Sequence, residues 1–226
     1  QIQINIVSDE WQGFVTQEGT GYYLDLLHLV FPSPKYKLNI TIYPYSRAIH
    51  KVQSNSADIV LGIWANEHPT DLLSAYPVET DILDALMRST HPAITGPESF
   101  DQLRVLAQTG YGLDELLHTP FSYEERVELS NMIKMVKSNR ADALIGYHFE
   151  IEAAVHELGM QRQLVIIKHV LTEHAYFGFC STEKCIKLKG LFDESFLDLH
   201  QRGIIKKLLM DNDQSPSAEP KLRPSP

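Results

Sequence analysis

Residues 44–66 read PYSRAIHKVQSNSADIVLGIWAN. Its first part predicts a helix beginning at the proline, because Ala48, Ile49 and Val52 fall on one apolar face. A polar segment ends this helix, and the apolar run over residues 57–62 predicts a short buried strand. The stretch therefore predicts one helix–turn–strand unit of an α/β lobe.

The same unit recurs in the second half of the chain. A predicted helix over residues 131–138 leads through a polar turn to a predicted strand over residues 141–146. Both strands open with Ala-Asp and reach a glycine shortly before an aromatic residue, Trp64 in the first and Tyr147 in the second. An open α/β sheet binds ligands beyond the carboxyl ends of its strands. Two such units predict two α/β lobes that face each other across a cleft.

The order and spacing of these units resemble the bacterial extracellular solute-binding proteins of family 3, the amino-acid receptors of periplasmic transport. The resemblance covers the chain from Ile2 to about Leu209. It implies an α/β, two-lobed type II periplasmic-binding-protein fold, with two mixed sheets flanked by helices and two crossings between the lobes. The expected division is residues 1–90 with 180–210 for lobe 1, 91–179 for lobe 2, crossings near Ser89 and Phe177, and 211–226 as a tail, linker or surface strap.

Composition narrows the class of protein. A hydrophobic content of 43% and a charged content of 22% are typical of a soluble globular chain. The net charge of −9 argues against nucleic acid or an anionic membrane as partner. No apolar run reaches the about 20 residues that span a bilayer, so membrane insertion is not expected. The chain begins directly before a predicted strand, as in a processed exported domain whose signal peptide is removed, so a periplasmic or otherwise extracytoplasmic location is expected.

The two cysteines, Cys180 and Cys185, lie five residues apart. In an exported protein they would close a small disulfide loop between a strand end and a helix start. The alternatives are two free thiols, or half of a metal site that has no second cysteine pair to complete it. Neither a metal ion nor a cofactor is expected.

Candidate ligand contacts in lobe 1 begin after the first predicted strand. In the family, the loop at this point supplies an aromatic side chain that packs on the ligand, which implies a role for Trp11 or Phe14. The alternative is an aromatic residue that covers the core of the lobe. Arg47 lies in the first turn of the next helix, where a cation opposes the helix dipole. An anionic ligand group nearby would explain it, and an ordinary surface arginine is the favoured alternative.

The two residues that define amino-acid recognition in the family are missing. The first is an arginine that binds the ligand carboxylate in a bidentate manner. Counting back from Pro77, its position falls on Pro69, beside His68, and the loop over residues 65–77 contains no arginine. The second is an aspartate that pairs with the ligand ammonium, and Tyr147 stands in its place. The resemblance therefore implies a ligand other than a free α-amino acid bound in the usual way.

A further candidate in lobe 2 is the turn Gly110-Tyr111-Gly112, at the Gly-Thr-Thr position of the family. The turn opens a predicted helix, whose free N–H groups bind acceptors, although such turns also simply join strands to helices. His148 and His156 follow on another predicted helix, eight residues apart and too distant to share a metal. Together with the neighbouring glutamates they are interpreted as a solvated face.

These observations predict a non-enzymatic, exported solute-binding protein that captures a small molecule in an interlobe cleft for an ABC-type transporter, with the membrane permease as partner. The expected ligand contacts are Trp11, Phe14, Arg47, Trp64, His68, Gly110, Tyr111, Gly112 and Tyr147. One alternative is an extracytoplasmic ligand-sensing domain of a signalling protein. Another is a small-molecule lyase or dehydratase, for which Glu10, Glu67 and His68 are the local acid–base candidates, without a supporting nucleophile motif.

Overall fold

A computed structural model describes residues 1–92, 94, 97–109 and 123–222. Its strands are β1 (Ile2–Ser8), β2 (Tyr36–Ile42), β3 (Ile59–Trp64), β4 (Glu79–Arg88), β5 (Val105–Gln108), β6 (Tyr123–Arg126), β7 (Ala143–Tyr147) and β8 (Leu164–Phe179). Its α-helices are α1 (Tyr22–Val30), α2 (Tyr45–Gln53), α3 (Leu129–Lys137), α4 (His148–Glu157), α5 (Glu183–Gln201) and α6 (Ile204–Asp211). Short 3-10 helices cover Thr70–Leu72, Pro97–Phe100 and Pro216–Ala218.

The chain divides into two compact units. Unit 1 consists of Gln1–Thr80 and His174–Pro226, and unit 2 consists of Asp81–Glu173. The division points fall inside β4 and β8, which are neighbouring strands. The sequence placed them later, in the Pro- and Gly-containing segment after β4 and near the end of β8. The difference arises because β8 is one continuous strand of 16 residues, whereas the sequence indicated a short strand followed by a separate crossing.

Unit 1 is built on a mixed sheet. β1 pairs in parallel with β2 and with β3, and β3 pairs antiparallel with β8. Ile4 and Ile6 alternate with polar neighbours along β1 and are fully buried, as the period of two along a strand requires. Because β1 and β3 are parallel, their carboxyl ends lie at the same edge of the sheet.

Aromatic side chains fasten α5 to this sheet. Phe192 and Phe196, one helical turn apart, stack at 5.8 Å, and Phe192 also lies 5.1 Å from Phe177 of β8. All three rings are fully buried. Burying a side chain of this size contributes roughly 1.5–3 kcal/mol each, so this helix is an integral part of unit 1.

The segment after α6 is packed onto unit 1. Pro220 is buried, and Ala218 and Leu222 contact the hydrophobic core of this unit. The Pro220 carbonyl lies 2.8 Å from Nε2 of His200 in α5. Residues 212–222 therefore form a surface strap on unit 1, one of the three forms expected for the tail.

The strands of unit 2 are also mixed in direction, and they belong to one eight-stranded order, β2-β1-β3-β8-β4-β7-β5-β6, in place of the two separate sheets that the sequence predicted. β4 pairs antiparallel with β7, while β5 pairs in parallel with β7 and with β6, a strand that the sequence patterns did not predict. Met132, Ile133 and Val136 of α3 and Ile151 of α4 are fully buried against one face of this sheet. A separate hydrophobic cluster covers the other face, so each unit has its own core.

The repeated sequence unit is also a repeated structure. Between α2 and β3, Asn55 has a positive φ of 58°, and its N–H donates to the carbonyl of Val52. Between α3 and β7, Asn139 has φ 60°, and its N–H donates to the carbonyl of Val136. Asparagine enters this left-handed conformation more readily than most residues. The predicted duplication is thus confirmed at the level of single turn residues.

Candidate functional site

The carboxyl-terminal edge of the unit 1 sheet carries both tryptophans of the chain. Trp64 ends β3, and Trp11 lies in the loop that follows Ser8, the last residue of β1. The loop is closed by Val15, whose carbonyl accepts the Trp11 N–H at 2.9 Å. Both indole side chains are half-buried, so each combines an apolar face with access to solvent.

Two tyrosines hold the Trp11 ring in place. Tyr23 meets it edge-on at 6.4 Å between ring centroids, and Tyr45 does so at 5.8 Å. Gly62 provides the room, because a Cβ atom there would lie 2.8 Å from both the Trp11 and the Tyr23 ring. Gly62 also has φ +64°, at an irregularity in the β3–β8 pairing. Gly62, the glycine of the repeated motif in β3, therefore leaves the space in which the Trp11 side chain packs.

The chain's own carboxylates occupy backbone donors at this edge. Asp9 Oδ2 accepts the N–H of Tyr45, the first residue of α2, at 3.0 Å. Glu67 Oε2 accepts the Trp64 N–H at 2.7 Å and the Tyr45 hydroxyl. The first turn of a helix is a natural anion-binding position, because its N–H groups have no partner within the helix. In unit 1 these donors already bond to negative side chains.

A further carboxylate lies beneath the aromatic residues. Glu79 is 6% exposed and accepts the hydroxyl of Tyr23. The neighbouring Tyr22 hydroxyl donates to the Val78 carbonyl at 2.7 Å. Burial, assisted by the charges of Glu79 and Glu219, raises the pKa of Tyr22 well above its usual value. Tyr22 therefore remains a neutral hydrogen-bond donor.

Two predicted contacts have packing roles. The Phe14 ring lies 5.1 Å from Tyr23 and 6.1 Å from Tyr22, which favours the interpretation that it covers the core. Arg47 is exposed, and its guanidinium lies 5.0 Å from the ring centroid of Tyr43. This cation–π contact favours the ordinary surface arginine.

His68 lies in the interior of unit 1. Its side chain is 6% exposed, and Nε2 lies 2.8 Å from the Phe179 carbonyl oxygen, which requires Nε2 to carry the proton. Nδ1 is buried without a partner among the residues that the structure describes. The ring packs beside Gly178, where an added Cβ would approach it to 3.2 Å. These contacts favour a core histidine over a ligand contact.

Tyr147 occupies the corresponding strand end in unit 2. It is the last residue of β7, pairs with Leu83 of β4 and caps the start of α4. Its side chain is half-buried against one of the unit 2 clusters. The turn Gly110-Tyr111-Gly112 lies outside the described residues, so a role in ligand binding stays a prediction for these three.

A buried pair in unit 2 was missed by sequence reasoning. Asp84 is 1% exposed, and its Oδ2 lies 2.6 Å from Nδ1 of His148. Its Oδ1 accepts the backbone N–H of His169 at 2.8 Å. Nε2 of His148 lies 3.4 Å from Glu152. The solvated-face interpretation was therefore wrong for His148. The available signal was Asp84 itself, a single aspartate within the otherwise apolar run over residues 82–87 of β4.

Solved structures share this architecture. A histidine kinase sensor domain with similarity to periplasmic binding proteins has a TM-score of 0.62 and 14% identity, over 92% of this chain and 95% of that one. The glutamate-bound GluR0 ligand-binding core from Nostoc punctiforme has a TM-score of 0.63 and 14% identity, over 93% of this chain and 98% of that one. A probable amino-acid ABC transporter extracellular-binding protein from Bacillus subtilis has a TM-score of 0.60 and 17% identity, over 93% of this chain and 97% of that one. The chain has the type II periplasmic-binding-protein fold.

This fold is recognised through structure alone. No protein-family model matches the sequence. No curated protein matches it by sequence either. The neighbours named above are binding proteins and a sensor domain, and their likeness confirms the predicted fold class.

The cysteines of this type II fold form the expected disulfide. Cys180, directly after β8, bonds to Cys185 in the first turn of α5. Asp58 lies beside them, and these three residues form the one group of three possible metal-ligating side chains found among the described residues. Both sulfur atoms are already bonded to each other, so the group serves as a structural link.

Across the described part of the chain, no helix combines the length and the apolar character needed to cross a membrane.

Proposed function

We propose that this chain is a non-enzymatic, exported binding module that captures a small molecule in the cleft expected between its lobes and delivers it to the permease of an ABC-type transporter. The observation that carries the proposal is the position of Trp11, held between Tyr23 and Tyr45 at the carboxyl ends of β1 and β3. A rigid, half-buried indole at this edge provides an apolar wall for a ligand. The fold neighbours, which include a transporter binding protein, support the same role.

The ligand we propose is not a standard free α-amino acid. Such a ligand brings a carboxylate and an ammonium group, and leaving either unpaired costs several kcal/mol. Pro69 offers no donor to the carboxylate, and the N–H groups of Tyr45 and Trp64 already bond to Asp9 and Glu67. Arg47 could replace the missing arginine only by leaving its contact with Tyr43.

A thermal-shift screen across amino acids, polyamines, organic acids, sugars and aromatic acids tests this proposal. A true ligand at 100-fold excess over its Kd adds about 2.7 kcal/mol of stability. The two tryptophans, Trp11 and Trp64, both lie at the proposed site, so intrinsic fluorescence provides an independent binding signal. Calorimetry is expected to show no micromolar binding of standard L-amino acids. Such binding, abolished by Arg47→Ala, would show that the carboxylate site has moved to Arg47 and would overturn the ligand assignment.

Variants on both units localise the site. Replacing Trp11 or Tyr147 by alanine is expected to weaken any ligand found in the screen, because each change removes a wall at a strand end. Leu29→Ala serves as the matched control, since Leu29 is an exposed apolar residue on α1 of unit 1. Equal affinity of all three variants would place the ligand elsewhere on the molecule.

The second candidate function is a ligand-sensing domain, and the strap over residues 212–222 favours it. The Asn212 amide donates to Asp25 at 2.8 Å, close to the start of α1. Gln214 packs against Gly13, in the same loop as Trp11, so closely that an added Cβ on the glycine would lie 2.1 Å from the Gln214 amide nitrogen. The strap therefore contacts the loop that carries the proposed ligand wall.

Hydrogen exchange distinguishes the two functions once a ligand is found. In a sensor, ligand binding is expected to change the protection of residues 212–222, because movement of the Trp11 loop is passed on through Gln214. Unchanged exchange in this segment, together with protection of the Trp11 loop, favours the transport receptor.

A further inference from the structure

We infer that Glu79 and Glu67 are positioning residues for the Trp11 ring, each acting through one tyrosine. The inference rests on the proposed function and deepens it, because it states what holds the ligand wall of unit 1 in place. Tyr23 and Tyr45 both meet the Trp11 ring edge-on. The hydroxyl of Tyr23 donates to Glu79, and the hydroxyl of Tyr45 donates to Glu67. Trp11 is therefore flanked by two tyrosine–glutamate pairs.

The first pair lies in the interior of unit 1. Tyr23 belongs to α1 and Glu79 begins β4, and both residues are almost fully buried. The Tyr23 hydroxyl and the Trp11 ring border one small space, since a Cβ atom on Gly62 would lie 3.1 Å from the hydroxyl oxygen and 2.8 Å from the indole. A shift of the tyrosine ring would therefore disturb the packing of the indole directly.

The second pair lies at the edge where β1 and β3 end. Glu67 is fixed by the sheet, because its Oε2 also accepts the Trp64 N–H at 2.7 Å. Tyr45 is fixed at both ends, since its backbone N–H donates to Asp9 at 3.0 Å while its hydroxyl donates to Glu67. Asp9 lies two residues before Trp11 in the chain. The ring of Tyr45 and the indole are thus tied to the same loop.

The hydrogen bonds add a directional constraint that the ring contacts lack. Aromatic pairs keep their attraction over a range of offsets and angles, whereas a hydrogen bond weakens steeply when it is bent. The carboxylates therefore fix the direction of each tyrosine, and the tyrosines fix the indole. A wall that is in place before the ligand arrives loses less conformational freedom on binding, which favours affinity.

The test isolates Trp11 in a Trp64→Phe background, where it is the one remaining tryptophan. Near-ultraviolet circular dichroism and acrylamide quenching of its fluorescence report how firmly the indole is held, and neither measurement needs a ligand. Tyr23→Phe and Tyr45→Phe each remove a single hydroxyl. Both changes are expected to weaken the tryptophan dichroism and to increase the quenching.

Tyr22→Phe is the matched control. Tyr22 is fully buried, and its hydroxyl donates to the Val78 carbonyl at 2.7 Å. Its ring contacts those of Tyr23 and Phe14, and no contact of this ring with Trp11 is found among the described residues. Removing this hydroxyl also breaks a buried hydrogen bond, so the variant is expected to be less stable and yet to keep the dichroism and quenching of Trp11.

Variants of the carboxylates test the groups that act through the tyrosines. Glu79→Gln keeps an acceptor for the Tyr23 hydroxyl and is expected to retain most of the Trp11 signal, whereas Glu79→Ala should lose it as Tyr23→Phe does. The double variant with Glu79→Ala and Tyr23→Phe should show no further loss, because both changes break the same bond. Glu67 and Tyr45 should behave in the same way. Should Glu79→Ala fail to fold, the Glu67 variants make the same comparison at the half-buried edge.

The outcomes separate this inference from the proposed function. A Trp11 signal that is unchanged from the Trp64→Phe parent in both Tyr23→Phe and Tyr45→Phe would overturn the inference, and so would an equal loss in Tyr22→Phe. If the signal responds as expected and no compound of the thermal-shift screen binds, the proposed function fails while the positioning of Trp11 stands. A compound that binds the two loosened variants as tightly as the parent would overturn the role of this ring as the ligand wall.

Discussion

Asp58 and Asp142 make the same two hydrogen bonds, each within its own unit. Asp58 accepts the N–H of Asn5 at 2.7 Å and donates its own N–H to the Asn5 carbonyl at 2.8 Å. Asp142 does the same with Arg104, at 2.9 Å in both directions. Asn5 lies in β1 and Arg104 directly precedes β5, so each aspartate ties the start of one strand to its parallel neighbour. The repeated Ala-Asp motif is therefore a structural device.

Replacing Asp142 by asparagine is expected to destabilise the protein in a pH-dependent way. Hydrogen bonds from Arg104 hold the pKa of Asp142 well below its usual range. A lowered pKa in the folded state means that the charged form contributes stability above the ordinary aspartate pKa of about 3.9, and that this contribution is lost as the pH falls below it.

We expect Asp142→Asn to lower the free energy of unfolding by about 1 kcal/mol at neutral pH, at the low end of the range for such bonds. Arg104 is 56% exposed, so solvent screens the pair. Urea unfolding should show the difference from wild type shrinking in acid. Asp101→Asn, at an exposed position of unit 2, is the control and should have little effect. Equal losses in the two variants would contradict the structural role of Asp142.

Gly62→Ala is expected to disturb both stability and the proposed site. The left-handed backbone alone costs about 1–2 kcal/mol for a residue with a side chain. The new methyl group would also push against the Trp11 and Tyr23 rings. Chemical denaturation and the tryptophan emission maximum measure the two effects.

Gly190→Ala provides the opposite control. Gly190 lies within α5, and an added Cβ there meets no atom within 4 Å. Alanine is favoured over glycine inside a helix, so a gain of about 0.5–1 kcal/mol is expected. A Gly62→Ala protein as stable as wild type, with unchanged emission, would show that Trp11 is not held as described.

The disulfide is expected to account for all cysteine in the protein. Because Cys180 and Cys185 are both buried, alkylation must be carried out in denaturant without reductant, and no free thiol should be found. Replacing both residues by serine should cost about 2 kcal/mol in the chain-entropy account of so short a loop. Two alkylated cysteines under these conditions would disprove the bond.

The strap is expected to stabilise unit 1 through few contacts. Leu222 packs on the core, whereas its neighbour Lys221 is exposed. Leu222→Ser should lower the melting temperature, with a loss of about 1 kcal/mol for a partly buried side chain, and Lys221→Ser should leave it unchanged. If both variants have the melting temperature of the wild type, residues 212–222 contribute nothing to the stability of unit 1.

Local sequence patterns were sufficient for most elements and for the fold class. The apolar spacing in α2 and α3 and the runs of β3 and β7 predicted both repeated units, because helix and strand periods follow directly from backbone geometry. β6 carried too little signal, since its four residues include Glu124, Glu125 and Arg126. The length of β8 was missed because polar residues such as His169 and Glu173 interrupt its pattern.

The duplicated α/β unit, the cysteine pair and the lack of an arginine in the loop after β3 can all be read from the sequence. Which side chains meet depends on the tertiary structure. His68 bonds to Phe179, 111 residues away, and Asp84 to His148, 64 residues away. Local periodicity reports which face of an element is apolar, but the partner of a polar group depends on contacts distant in the chain. For this reason Glu67 became a central residue of the candidate site, while Arg47 was found on the surface against Tyr43.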